Sequence, residues 1–373
     1  MQSALPSEHR ALFLENRESG FQVITRTTPQ PDHGSAVIRI AAAAILPYHR
    51  DVYSGKRPLP FPTPLVGGFS AIGHVAAVGP DATALKSGQL VYIDCVIRAR
   101  DDPDCSFLSA YFHGSSDGSI KLMRDVWRDG TYAEYAKVPL ENCIPLNESR
   151  LCDRLGYSLQ DLMYMAYLLV PYGGLRDIQL EPGQTIIVCP ATGFYSGFAV
   201  QVAIAMGARV IAMGRNVEKL ARLKEQVKQR SPRADMETVK ITGDEQQDAS
   251  ALQDFGPIDA VFDITPSAAS LSTHTRSAIK ALRRGGKVSL MGSTRNISVQ
   301  EIMMNNITLK GKSMYEREAI LQFVKMLERG LFPMGKESVE TKAFALDKWK
   351  EALDAGVDHN GIGKCVVFAP LSS

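Results

Sequence analysis

Between Ala43 and Gly55 the chain reads AAILPYHRDVYSG, which gathers Tyr48, His49 and Asp51 within four positions. An imidazole and a carboxylate this close are possible metal ligands. A phenol beside an imidazole is a possible proton donor with a partner that tunes it. No cysteine is near, and the following PLVGGFSAIGHV adds only His74, read as structural in an alternating strand. Zinc needs three or four donors in tetrahedral reach. On these residues alone the stretch reads as a metal site, as the remains of one, or as strand and turn with Asp51 and Tyr53 capping or packing a helix.

A second constellation is CPATGFYSGFAVQ, from Cys189 to Gln201. A dinucleotide turn uses glycines so that backbone N–H groups can approach a pyrophosphate at a helix start. Here the three glycine positions hold Pro190, Gly193 and Ser196, with Gly197 following, so one of three is kept. Such turns also join strands to helices without any ligand. Thr192, Gly193, Tyr195 and Ser196 are the candidate contacts. The next strand-like run, ARVIAMG, ends at Gly214, where an NAD enzyme carries an acid for the ribose hydroxyls. GRNVEKL offers no acid at the strand end and supplies Arg215 and, four residues on, Lys219, cations that suit a 2′-phosphate and equally a solvated helix start. The expected cofactor is NADPH in preference to NADH.

The elements that must position these residues follow from the hydrophobic period. Up to about residue 155 the chain is a series of short runs, SAVIRIAAAA, AIGHVAAVG, QLVYIDCV and TYAEYAKVP, separated by Gly, Pro and Asp turns. They predict a small β-barrel. Arg98 to Gly130 is a long, weakly patterned segment, expected to be functional or mobile. Its Tyr111, His113 and Trp127 are expected either to border a pocket or to anchor the loop. From Tyr157 onward strand-like and helical runs alternate, which predicts a parallel sheet wound on both faces. Met303, Met304 and Met314 are expected in the core, and Asn305 and Asn306 in a turn.

At 373 residues two domains are expected, and a net charge of +2 without a basic stripe argues against nucleic acid. No run reaches the ~18 apolar residues of a membrane span, and the first 30 residues lack a signal-peptide core, so a cytoplasmic address is expected. The six cysteines form no CxxC pair and are expected as buried free thiols.

Over nearly its whole length the chain resembles the medium-chain dehydrogenase/reductase superfamily. The resemblance rests on VIRIAAAAILPYHRDVYSG, PLVGGFSAIGHVAAVG, DGTYAEYAKVP, EPGQTIIVCPATG, ALRRGGKVSLMGS and the terminal GKCVVF. It implies an α/β protein with a GroES-like β-barrel catalytic domain at 1–157 and 319–373, and a Rossmann cofactor domain at 158–318. It implies NADPH in a cleft between them, with Gly292 and Ser293 near the nicotinamide, and a homodimer. Zinc-dependent members carry a cysteine where this chain has Leu46, a proton-relay Ser or Thr where it has Tyr48, and GHE where it has Gly67, Gly68 and Phe69. Their third ligand falls near Ala166, and the four cysteines of a structural zinc lobe are missing from 99–130. The resemblance is therefore closer to zinc-free quinone and enoyl reductases than to alcohol dehydrogenases. It makes Tyr48 the candidate catalytic donor, the alternative being an aromatic packed at a strand end, and His49 either a group that tunes it or contacts a ribose or a structural histidine. Without a metal to stabilise an alkoxide, a substrate that delocalises charge is preferred. The expected activity is NADPH-dependent reduction of a conjugated C=C bond or quinone of a small molecule, such as a specialised metabolite. The alternatives are a carbonyl reductase and a non-redox NADPH-binding or scaffold protein.

Overall fold

The computed structural model describes residues 5–371. They form two compact units, one of residues up to Ala166 together with those from Met334 on, the other Tyr167–Pro333. The change-overs fall beyond the 157 and 318 expected from the sequence. The helix Arg317–Glu328 accounts for the second shift, because its buried Phe323 packs edge-on to Tyr172 of the helix Met165–Asp177 at 5.4 Å.

The first unit is built on the strand Ser35–Ala44, whose small and β-branched residues are buried almost throughout. It pairs antiparallel with Ala71–Val78, with Tyr135–Pro139 and, at Ala43 and Ala44, with Lys364–Phe368. Leu90–Ile93, Cys143–Pro145 and Glu340–Phe344 complete a seven-stranded sheet. Register shifts after Val37 and Ile40 bend the central strand. A second sheet orders Phe21–Thr27, Glu8–Leu14 and Leu65–Val66. Tyr132 sits among aromatics, 4.6 Å from Phe368 and 6.3 Å from both Phe21 and Tyr53. The segment after Arg98 is more ordered than expected. Ser106–Leu108 returns as a hairpin on Val96–Arg98, and a helix forms at Asp117–Asp125. Ser116 and Ser119 cap that helix reciprocally, and Met123 is buried on its inner face.

The second unit is a six-stranded parallel sheet: β1 Thr185–Cys189, β2 Arg209–Gly214, β3 Met236–Lys240, β4 Ala260–Asp263, β5 Lys287–Leu290 and β6 Thr308–Gly311. The order is β3-β2-β1-β4-β5-β6, that of a Rossmann fold. β1 is buried at every position, as a strand covered on both faces must be. Alternate residues Ile187, Ile211, Val261 and Val288 share one core with Leu252 and Ile279 from the helices Glu245–Gln253 and His274–Ala281. On the other face Gly174 brings Met165–Asp177 so close that a Cβ there would stand 2.7 Å from Ser289 and 2.9 Å from Phe262. Met303 and Met304, expected in the core, are 63% and 59% exposed. They flank β6, an exposed edge strand, together with Val299 and Leu309. The helix there is one short element, Val299–Met304, that packs Ile302 against the core and leaves Val299, Met303 and Met304 outside it. Among the described residues no helix is long and apolar enough to cross a membrane, and the six cysteines form no disulfide, five of them buried and Cys152 half-buried.

Candidate functional site

β1 and β4 are neighbours from which the strand order runs outward in opposite directions, so their carboxyl ends bracket the switch point of the sheet, where ligands of open α/β folds bind. All nine expected cofactor residues lie at or beyond the carboxyl ends of strands β1, β2 and β5. Thr192, Gly193, Tyr195 and Ser196 follow β1. Gly214 closes β2, with Arg215 and Lys219 beyond it, and Gly292 and Ser293 follow β5. Exposed Gly193 precedes the helix Phe194–Ala205. Ser196, at the lost third glycine, turns inward: it is buried, and its Oγ accepts the Gly193 N–H at 3.0 Å. The serine thus serves the turn.

After β2, Asn216 caps the helix Val217–Arg230 by accepting the Lys219 N–H at 2.8 Å. Arg215 and Lys219 are exposed, and among the described residues neither side chain has an ion-pair partner. Glu218 stands between them in the first turn of that helix. After β5 a Cβ on Gly292 would stand 2.1 Å from the Thr265 nitrogen, and the Ser293 N–H donates to the Thr265 carbonyl at 2.7 Å.

Sequence reasoning singled out nothing at the end of β4, where the structure holds the densest polar group of the unit. Asp263 has no exposed surface. Its Oδ2 accepts from the Thr265 hydroxyl at 2.6 Å and the Thr275 hydroxyl at 2.8 Å, and Thr294 donates in turn to Thr275 at 3.1 Å. Since Thr265 spends its proton on Asp263, it accepts from His274 Nε2, 2.7 Å away, and His274 Nδ1 accepts from Ser272 at 2.7 Å. That arrangement makes His274 neutral, in keeping with a pKa held below its ordinary value by burial and, less, by Arg215, against an upward pull from Asp263. One carboxylate therefore ties the loops after β4 and β5 to a helix start. Cys189 Sγ lies within 4.8 Å of donor atoms of Asp263 and His274, a metal-ligand combination. Here the carboxylate and imidazole are engaged by hydroxyls, and burial pushes the thiol well up, so the group is a hydrogen-bonded core. The only sequence signal was an acid closing an otherwise apolar run, IDAVFDIT.

In the first unit Tyr48 stands at the head of the helix His49–Tyr53, half-buried. The Arg57 guanidinium lies over its ring at 4.6 Å, and Tyr111 from the 99–130 segment is 6.1 Å away. His49 is fully buried, ringed by Phe69, Tyr111 and Tyr53 at 5.2, 5.5 and 5.6 Å. Its Nδ1 meets the Tyr132 hydroxyl at 2.6 Å and the Leu46 N–H at 3.3 Å, while Nε2 has no partner among the described residues. The expected tuning of Tyr48 by His49 thus meets an edge-on ring 6.2 Å away whose Nδ1 is engaged by Tyr132. His113 turns to its own loop, with Nδ1 2.8 Å from the Gly114 carbonyl, and Trp127 lines a separate cavity.

The positions that hold zinc in related enzymes carry no donor side chain here. Leu46 and Ala166 are buried. Gly68 has a φ of +93°, and a Cβ there would stand 2.5 Å from the Tyr132 ring, while one on Gly67 would stand 2.7 Å from Phe21. The space for a histidine is filled by aromatic core, so the residues present do not fit a zinc ion.

Burial drives the His49 pKa down from 6.5 to about 3. Between those values the unfolded chain binds a proton that the folded chain refuses. Its stabilising contribution is complete above 6.5 and is lost as pH falls, by about 2 kcal/mol at pH 5. His9 and His274, both also lowered, act in the same direction. Thermal unfolding between pH 7 and 5 should show this slope, and His49→Phe should flatten it. An unchanged slope would assign the acid limb to other groups.

Two family models match the chain: the alcohol dehydrogenase GroES-like domain over residues 32–148 and the zinc-binding dehydrogenase domain over 196–329. The chain is 29% identical to the acryloyl-coenzyme A reductase of Metallosphaera sedula over 217 residues, which are 56% of this chain and 60% of that protein. It is 24% identical to an alcohol dehydrogenase of Geobacillus stearothermophilus over 329 residues, 86% of this chain and 89% of that one. Among solved structures a crotonyl-CoA carboxylase/reductase shares the fold with a TM-score of 0.74 at 14% identity, over 98% of this chain and 89% of that one. With one family model on each unit, in chain order, the chain belongs to the medium-chain dehydrogenase/reductase superfamily.

Proposed function

We propose that the protein is a zinc-independent, NADPH-dependent reductase of a conjugated C=C bond or a quinone in a small organic molecule. The observation that carries this reading is the aromatic filling at Gly67 and Gly68, which leaves no ligand set for a Lewis acid beside Tyr48. Bound at the switch point of the second unit, NADPH would supply a hydride. Arg215 and Lys219 would hold its 2′-phosphate, and the turn at Thr192, Gly193, Tyr195 and Ser196 its pyrophosphate. Tyr48 would donate a hydrogen bond to the carbonyl oxygen that takes up negative charge as the β-carbon is reduced, and later a proton. Buried His49 would hold the helix that carries Tyr48 and move no proton itself. The acryloyl-CoA reductase relative, whose named substrate contains a conjugated double bond, supports this choice of substrate class.

A carbonyl reductase is the second reading, favoured by the alcohol dehydrogenase relative that matches most of the chain. An enone offers both sites, and a saturated ketone as product against an allylic alcohol decides between them. A cofactor-binding protein without turnover is the third. NADPH binding without NADPH consumption on enones, quinones and ketones would establish it. We also propose a homodimer through β6, where Leu309, Val299, Met303 and Met304 are exposed along an unpaired edge.

Arg215→Ala should weaken NADPH about tenfold or more while leaving NADH nearly unchanged, as loss of a charged hydrogen bond predicts. Equal losses in a fluorescence titration would remove the 2′-phosphate assignment. Tyr48→Phe should lower turnover on an enone on the order of 10²-fold with NADPH affinity intact. Unchanged turnover would return Tyr48 to packing. Leu309→Asp should convert a dimer to a monomer in light scattering, and a mass unaffected by the charge would place the interface elsewhere.

A further inference from the structure

A cavity of about 230 Å³ opens in the first unit, apart from the residues assigned to catalysis. Gly130, Ala133 and Lys137 line it, while Tyr132 between them does not. One wall is the face where His9 and Arg26 stand opposite each other on adjacent strands. Another holds Trp127 and Tyr135, with Lys137 Nζ 5.8 Å from the Trp127 ring and Tyr135 edge-on to His9 at 6.2 Å.

The charges around this space do not balance. Arg26, Arg124, Arg128 and Lys137 line it against Asp125 and Asp129. Arg124 is satisfied by Asp125 at 2.7 Å. Asp129 is shared, 2.9 Å from Arg26 and 3.7 Å from Arg128, and also accepts the Val66 N–H at 3.0 Å. Lys137 turns to Asp32 at 3.2 Å, a carboxylate that does not line the cavity. Four cations thus share three carboxylates, and two polar atoms of the same walls, His9 Nδ1 and Arg128 Nε, are buried without a hydrogen-bond partner. Burial and the neighbouring Arg26 hold His9 below its ordinary pKa, against a weaker upward pull from Glu134 and Asp129, so it adds a neutral donor or acceptor.

We propose that this cavity is a second ligand site, for a small aromatic monocarboxylate. A single negative charge makes up the deficit, and a dianion would overshoot it. The indole and phenol walls suit a flat ring in a space of this size. Binding here reaches the Gly67–Phe69 turn through backbone alone. A Cβ on Gly130 would stand 1.8 Å from the Gly68 carbonyl oxygen, and the Thr131 and Tyr132 N–H groups donate to Gly68 and Gly67 at 3.2 and 2.8 Å.

Calorimetric titration of the full chain with benzoate tests the proposal, with benzamide as the neutral isostere. Lys137→Met and Trp127→Leu are the variants, since neither residue takes part in catalysis or cofactor binding. One benzoate per chain is expected, with benzamide and the Lys137→Met variant each about tenfold weaker. NADPH affinity should be the same in both variants and the parent, which separates this result from the cofactor reading. Benzoate binding weaker than about 1 mM, equal binding of benzamide, or unchanged binding in both variants would overturn it.

Discussion

The buried hydroxyl of Tyr132 is the point on which the first unit turns. It lies 2.9 Å from the Ala44 carbonyl and 2.6 Å from His49 Nδ1, while its ring fills the space beside Gly67 and Gly68 and packs on Phe368. A phenol buried this deeply has to place its hydroxyl on a partner, and both partners are fixed by the central strand and the helix after it. The same side chain thereby joins the middle of the sheet to the C-terminal strand and removes the room for a metal ligand. It also holds His49 as a neutral part of the core. The aromatic filling at Gly67 and Gly68 and the tight packing of this core are here one arrangement.

The second unit is organised around an end of a sheet. Parallel strands send their carboxyl ends to one edge, so residues far apart in sequence meet there without any of them being in a motif. Asp263 exploits this: its two hydroxyl partners, Thr265 and Thr275, come from different segments, Thr294 from a third donates to Thr275, and the turn that carries Ser293 is fixed relative to Thr265 by a main-chain hydrogen bond. A buried carboxylate satisfied only by hydroxyls, one N–H and a neutral imidazole network holds its surroundings in one arrangement, because releasing any donor leaves charge without solvent.

Much of this was legible in the sequence. Strand and helix alternation after Tyr157 is a periodic signal, and the positions expected to contact a cofactor were readable because they sit at fixed offsets from strand ends. Tyr48 was legible only through its position relative to Leu46. The Asp263 group was not, since its meaning lies in which strands are neighbours. The helix in the 99–130 segment was missed because its cap is Ser-x-x-Ser, without the glutamate of the common pattern. Met303 and Met304 were misplaced because apolar character alone cannot say whether a covering layer exists. The aromatic filling at Gly67 was hidden for a similar reason: Tyr132 and Phe21 lie far from it along the chain.

The strand Lys364–Phe368 pairs with Ala43 and Ala44, and the whole second unit lies between these partners in the chain. During synthesis the second unit can wind up its sheet from contiguous polypeptide as it leaves the ribosome. The first unit must wait, two strands short, with Ala43 and Ala44 offering unpaired backbone to any passing edge. A nascent chain stalled shortly before residue 364 would hold a finished nucleotide fold beside an open sheet, which is the form a holding chaperone would meet.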